Sequence, residues 1–207
     1  MKRMKSFAVL VCLLLFSALL YAQVNTPDYR LLRLIAKSRT ETMNHFFIVV
    51  SDLNNPLCLG VALLLLLSRW VVKDHKYFRA GLLVGQSIFF SQIITFTIKD
   101  VTGRLRPHLY DSTFLSVIEA NNKSFPSGHT SEAFTMATAI CFSFSQWWIR
   151  VLAMGWACTV AYARMYLGVH YPSDVIGGII VGSGSVWLVV VLQNNWKKRK
   201  LKKSEEG

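Results

Sequence analysis

The chain is 207 residues long, room for one domain or at most two. Hydrophobic residues make up 53% of it and charged residues 16%, against about 25% charged in an average soluble domain. Mean hydropathy is +0.38 and the apolar residues lie in long runs, which excludes an ordinary soluble enzyme in favour of a membrane protein. The net charge of +12 suits an anionic membrane surface. Nucleic acid is set aside as a partner, because binding it needs a soluble basic face that this chain does not offer.

In chain order, Lys2, Arg3 and Lys5 precede an apolar stretch over 7–20 and then the small residue Ala22. Residues 1–22 read as a cleaved signal peptide, preferred to an uncleaved first transmembrane helix because the run is short for a span. Residues 23–54 read as an interfacial, periplasmic amphipathic segment. In it Leu31, Leu32, Leu34 and Ile35 face lipid while Arg30, Arg33, Lys37 and Arg39 meet anionic head groups. Five apolar segments follow, at 55–72, 78–98, 130–147, 149–167 and 174–193. Each is long enough to cross about 30 Å of hydrocarbon. The expected fold is therefore all-α, a polytopic transmembrane bundle over 55–193 with five spans after the signal peptide or sixth span. Residues 194–207 form a basic tail.

The positive-inside bias gives the direction. Lys197, Lys198, Arg199 and Lys200 place the tail in the cytoplasm; counting back puts Lys73, Lys76, Arg79 and Arg150 on the same side. Segments 23–54, 99–129 and 167–173 then lie outside. The expected location is the inner membrane, multi-pass, with the outer ends of the helices facing the periplasm. Cys12, Cys58, Cys141 and Cys158 sit in apolar runs without a CxxC pair, and read as buried small hydrophobes rather than metal ligands.

The unusual polar clusters all fall at the outer ends. They are Lys99 to Arg106-Pro107, then Ser124-Phe125-Pro126-Ser127-Gly128-His129, then Arg164 to His170 and Asp174. Lys99, Arg106 and Arg164 are cations at a membrane face, costly there unless paired or used. The arginine fork suits phosphate oxygens two at a time. Gly128 lets a ligand approach the backbone, and the N–H groups at the helix start with the Ser127 hydroxyl favour an anion. His129 stands over the same anion, where it can give a proton to a leaving oxygen. Asp174, four residues after His170, can take the proton of one ring nitrogen and leave the other nucleophilic. No carboxylate cluster is present to hold Mg²⁺ or Zn²⁺, so no metal and no other cofactor is expected.

These three stretches resemble the signature of the type 2 phosphatidic acid phosphatase family: K-x6-RP, PSGH and SR-x5-H-x3-D. Lys99, Arg106 and Pro107 match the first, Pro126 to His129 the second, and Arg164, His170 and Asp174 the third. The serine expected before the arginine is Ala163 here, which removes one hydrogen bond to phosphate. The resemblance implies a helical bundle with its site at the outer membrane face. It implies His170 as the nucleophile that becomes a phosphohistidine, Asp174 as its orienting partner and His129 as the acid. It implies Lys99, Arg106, Ser127, Gly128 and Arg164 as the phosphate cradle, and no metal.

The expected function is hydrolysis of a phosphate ester on a membrane lipid, with lipid A favoured and undecaprenyl diphosphate as the alternative. Two readings from other classes are a vanadate-dependent haloperoxidase, which shares the motifs but is soluble and larger, and a non-catalytic membrane protein that keeps an anion site. Glu132 reads as a polar helix start as readily as a substrate contact. Arg104 and His108 read as surface or head-group contacts, Lys123 as positive field at the entrance, and Trp147 and Trp148 as an interfacial belt. Gly177, Gly178, Gly182 and Gly184 read as small-residue helix packing.

Overall fold

The computed structural model describes residues 27–120 and 123–205, and all regular structure among them is helical. The signal-peptide segment, 1–22, lies outside the described residues. The elements are α1 (Pro27–Lys37), α2 (Glu41–Val71), α3 (His75–Thr102), the single turn α4 (Pro107–Tyr110), α5 (Gly128–Ser143), α6 (Trp147–Tyr166) and α7 (Pro172–Glu205).

Local chemistry sets the helix ends. The Thr40 hydroxyl accepts from the Met43 amide at 3.3 Å and starts α2; the Asp74 carboxylate accepts from the Lys76 amide at 2.8 Å and starts α3. Gly103, at φ 60°, ends α3 in the left-handed region, its N–H bonded to the Lys99 carbonyl at 3.0 Å. Pro107 and Pro172 each open a helix in the first turn, where a missing N–H costs nothing.

The first long helix begins at Glu41 rather than at residue 55. Asn44, Ser51, Asp52 and Asn54 lower the hydropathy of this stretch, yet Ser51 and Asn54 are buried against the bundle instead of ending the helix. Asn54 donates to the His129 carbonyl at 3.3 Å and accepts from Trp156 Nε1 at 3.3 Å. At the other end α7 continues past residue 193 to Glu205, so the basic stretch extends the helix.

Helix α5 is central, packed by α7, α6, α3 and α2, with α2 and α3 also paired. Its inner residues are small: Ala133, Ala137 and Ala139 are fully buried. Small residues let the neighbours approach closely. A Cβ on Gly182 would lie 3.0 Å from the Thr135 amide nitrogen, and one on Gly178 2.7 Å from the Ser127 carbonyl oxygen. Gly184 has no such neighbour within 4 Å, so only part of the expected glycine stripe is an interface.

Among the described residues three stretches are long and apolar enough to cross a membrane: Glu41–Val71, His75–Tyr110 and Pro172–Leu201. Their exposed faces present Leu63, Leu64, Phe89 and Ile176, the surface expected where lipid is the solvent. Helix α5 has 16 residues, about 24 Å at 1.5 Å per residue, and is wrapped by the others. Helix α6 carries Arg150 and Arg164 near its two ends. The fold is thus an all-α membrane bundle. Cys58 is buried as expected, whereas Cys158 is exposed on the outer face of α6.

Helix α1 lies across the end of the bundle where α2 begins and α3 ends. Leu32 does not face lipid: it is fully buried with Tyr29, Phe114 and Tyr171, while Leu31 and Leu34 are exposed. The Tyr29 hydroxyl and Arg33 both donate to Asp111, Arg33 at 2.9 Å. The Thr113 hydroxyl and the Tyr29 hydroxyl hold the Asp111 carboxyl well below the usual carboxylate range.

Candidate functional site

The up-and-down course of the helices brings the three motif stretches to one end of the bundle. Lys99 comes from the last turn of α3, Arg106 from the turn before α4, and Ser127, Gly128 and His129 from the start of α5. Arg164 comes from the last turn of α6, and His170 and Asp174 from the α6–α7 connection and the first turn of α7. Gly168, at φ 78°, gives the connection its sharp reversal between Arg164 and His170. A cavity of about 470 Å³ opens here, and Lys99, Arg106, Gly128, His129, Arg164 and His170 all line it. Ser127 and Asp174 stand behind that lining, fully buried.

Lys99, Arg106 and Arg164 each donate to a neutral oxygen. Lys99 Nζ donates to the carbonyls of Lys123 at 2.7 Å and Ser124 at 3.3 Å. Arg106 Nη1 donates to the Val169 carbonyl at 2.7 Å. Arg164 Nη1 donates to the Ser51 hydroxyl, and Arg164 Nε is buried with no hydrogen-bond partner. The acidic residues of the motifs are engaged elsewhere: Asp100 with Lys123 at 2.9 Å, and Asp174 with Arg104 at 2.5 Å. An anion in the cavity meets the Lys99, Arg106 and Arg164 cations, with the Asp52, Glu119 and Glu132 carboxyl groups also in the lining.

His170 is 1% exposed. Its Nδ1 faces Asp174 Oδ2 at 3.4 Å and Ser124 Oγ at 3.5 Å, and its Nε2 lies 3.3 Å from Arg106 Nη1. Asp174 also accepts from the Tyr171 amide at 2.9 Å and from the Ser124 hydroxyl. An ionised carboxylate only accepts, so it fixes the ring proton on Nδ1 and leaves the lone pair on Nε2, the atom turned to Arg106. Burial first, and then the Arg106, Arg164 and Lys99 cations, hold the imidazole well below the ordinary histidine range, so it is neutral.

Ser127 sets the backbone rather than the cavity wall. Its amide donates to the Asp174 carbonyl at 2.9 Å, and its hydroxyl accepts from Thr130 at 2.9 Å. At Gly128 a Cβ would meet only Thr95 Cγ2, at 3.9 Å, so this glycine leaves the helix start open to the cavity.

Sequence reasoning missed several members. Arg104 is not surface: it bridges Asp174 and Asp28, donating to Asp28 Oδ2 at 2.8 Å and lying 4.0 Å over the Tyr171 ring. Asp28, on α1, also accepts from the Ser173 amide at 2.8 Å and from its hydroxyl at 2.6 Å. The signal available was the second arginine in Gly103-Arg104-Leu105-Arg106; its partner, far away in sequence, gave none. Ser51 also lines the cavity, as does Glu132, which the sequence offered either as a substrate contact or as a polar helix start. Lys123 is tied to Asp100 at the rim. Among the described residues no three His, Cys, Asp or Glu side chains converge as a metal site.

The family model of the PAP2 superfamily matches residues 80–198, more than half of the chain. A lipid A 4'-phosphatase of Bacteroides thetaiotaomicron is 31% identical over 106 residues, 48% of this chain and 47% of that protein. An undecaprenyl-diphosphatase of Sulfolobus acidocaldarius is 30% identical over 123 residues, 57% of this chain and 59% of that protein. The chain thus spans about half the length of the curated relatives it matches. Among solved structures, Aquifex aeolicus LpxE superposes with a TM-score of 0.67 at 25% identity, covering 79% of this chain and 94% of that one. A transmembrane PAP2 type phosphatidylglycerolphosphate phosphatase of Bacillus subtilis shares the fold, with a TM-score of 0.69 at 19% identity over 94% of this chain and 98% of that one. A bacterial vanadium-dependent iodoperoxidase shares it too, with a TM-score of 0.60 at 16% identity over 81% of this chain and 50% of that one. Matched across the stretch that carries all three motifs, this multi-pass membrane chain belongs to the PAP2 superfamily.

Proposed function

We propose that the chain hydrolyses a phosphate ester of a membrane lipid without a metal, through a phosphohistidine at His170, at the periplasmic face of the inner membrane. The observation that carries this reading is the pairing at His170. Nδ1 faces Asp174, while Nε2 lies 3.3 Å from Arg106 Nη1, and His170 lines the cavity together with Lys99, Arg106 and Arg164.

The chemistry follows from those positions. The three cations, with the amides at the start of α5, hold the non-bridging phosphate oxygens and offset the charge that develops on them. His170 Nε2 attacks phosphorus, an N–P bond forms and the P–O bond to the lipid breaks. His129, protonated once the bound phosphate offsets the cations around it, gives its proton to the leaving oxygen. Water then attacks the phosphohistidine while His129 takes a proton from it; the N–P bond breaks, and inorganic phosphate leaves. Asp174 stabilises the ring charge that appears when Nε2 bonds to phosphorus. With Ala163 in place of serine, Ser51 supplies the hydroxyl that steadies Arg164.

Lipid A is the favoured substrate, on the match to a protein named as a lipid A 4'-phosphatase and the fold match to LpxE. Undecaprenyl diphosphate is the second reading, on the match to an undecaprenyl-diphosphatase. The long apolar helices favour a lipid substrate over the soluble haloperoxidase chemistry. Phosphate release by purified protein from lipid A, undecaprenyl diphosphate and phosphatidic acid, with EDTA and with a His170→Ala control, tests the reading. Release that persists in EDTA and disappears in the variant is expected. Release that requires metal or survives the substitution contradicts it.

A further inference from the structure

The cavity holds polar groups that phosphate chemistry does not use. Glu132 is 4% exposed and lines the cavity. No hydrogen bond or salt bridge to a described residue holds its carboxyl group. A buried carboxyl without a partner is costly unless something brought into the site satisfies it. Its position explains what that is. Glu132 lies on α5 three residues beyond His129, so its side chain sits about one turn deeper than the proposed acid. Asn55 on α2 and Gln92 on α3 line the same cavity, and Asp52 also lines it beside Ser51. Gln92 precedes Lys99 by seven residues on its helix, two turns further in.

Glu132 and Gln92 thus sit one to two turns further in than His129 and Lys99 on their helices, while Asp52 and Asn55 line the α2 wall beside the cations and Glu119 lines the loop side. A phosphate belongs with the cations and is repelled by Glu132. What suits Glu132 is a hydrogen-bond donor joined to the phosphate by a few bonds.

Resting on the phosphatase reading above, we propose that Glu132, with Asn55 and Gln92, forms a subsite for the hydroxyl or amide N–H groups of a sugar head group. This makes the substrate class a phosphorylated sugar lipid rather than a polyprenyl diphosphate. A diphosphate sets a second anion next to the first, toward Glu132, and its polyprenyl chain brings no donor. A sugar phosphate brings several donors and carries any second phosphate far from the first. A site built to bond such donors discriminates against ligands that lack them, because its own polar groups are then left unpaired.

The test compares the full-length chain with Glu132→Gln and Glu132→Leu in vesicles, using lipid A and phosphatidic acid as the two probes. The readout is the ratio of the two kcat/KM values. Loss of a buried charged hydrogen bond is expected to lower that ratio about tenfold or more in Glu132→Leu and less in Glu132→Gln. A general folding or catalytic defect depresses both substrates and leaves the ratio where it was, and that result overturns the proposal. The same ratio is read as binding affinity in chains that also carry His170→Ala, where no turnover is needed. If wild-type protein releases phosphate from neither lipid, the phosphatase reading fails while the binding ratio still decides the subsite: a drop of about tenfold supports it, and no change overturns it.

Discussion

Arg104 Nη1 donates to Asp174 Oδ1 at 2.5 Å, on the oxygen opposite the one that faces His170. The arginine is held from behind by Asp28 of α1 at 2.8 Å, so a helix outside the bundle braces the carboxylate that orients the proposed nucleophile. Truncating Arg104 leaves Asp174 buried with one oxygen unpaired, free to tilt away from Nδ1. Arg104→Gln is expected to lower kcat about tenfold to a hundredfold with little change in KM. Arg104→Lys should recover part of the loss, because one charged contact remains. Asp28→Asn should have a smaller effect that disappears in the Arg104→Gln background, since the pair acts through one contact. Steady-state kinetics on the four variants checks this. An equal rise in KM with kcat unchanged would show that Arg104 binds substrate rather than positioning Asp174.

The neutral state of His170 gives stability a pH dependence of known sign. Burial and the neighbouring cations place its folded pKa well below the ordinary value, whereas the unfolded chain titrates near about 6.5. Between those values the unfolded state binds the extra proton, so stability is fully present above about pH 6.5 and falls as the pH drops below it. The limiting slope is about 1.4 kcal/mol per pH unit. Unfolding of the detergent-solubilised protein from pH 8 to 5, compared with His170→Asn, should show wild type losing stability faster than the variant on the acid side. Parallel curves would mean that His170 accepts a proton in the folded state as readily as in the unfolded one.

Helix spacing around α5 makes a third claim. A methyl group at Gly182 has to enter space already filled by the Ser131 and Thr135 backbone, which costs about 1–3 kcal/mol in a packed core. Gly182→Ala should lower the melting temperature and weaken activity, because the α5–α7 contact holds Ser127 to Asp174. Gly184→Ala, with no neighbour within 4 Å, should be neutral or slightly stabilising through better helix propensity. Thermal unfolding of the two variants side by side checks the contrast, and equal losses would place the tight interface elsewhere.

The convergence of the motif residues was legible in the sequence because they lie in short stretches with fixed spacing. Lys99 to Arg106, Pro126 to His129 and Arg164 to Asp174 each sit at a helix end, so reading the apolar runs up and down brought them to one side. What escaped has two causes. Hydropathy cannot separate polar residues that end a helix from polar residues that line a site on one, so Ser51 and Asp52 fell outside the first apolar run although α2 carries them into the cavity wall. Contacts between distant segments leave no local pattern. Nothing near Asp28 announces Arg104, and nothing near Leu32 announces Phe114, which is why a residue expected in lipid is buried under the site. Glu132 was visible but ambiguous, because a carboxylate in a first helical turn is explained equally well by the helix dipole.

The most direct measurement is a rapid acid-free quench of the purified protein mixed, in the presence of EDTA, with lipid A labelled in its phosphate groups, followed by mapping of the labelled peptide. The account predicts a transient label on the peptide containing His170, stable in alkali and labile in acid, absent in His170→Ala and slower both to form and to decay in His129→Ala. Phosphate release without such a label, or a label on any other residue, would contradict it.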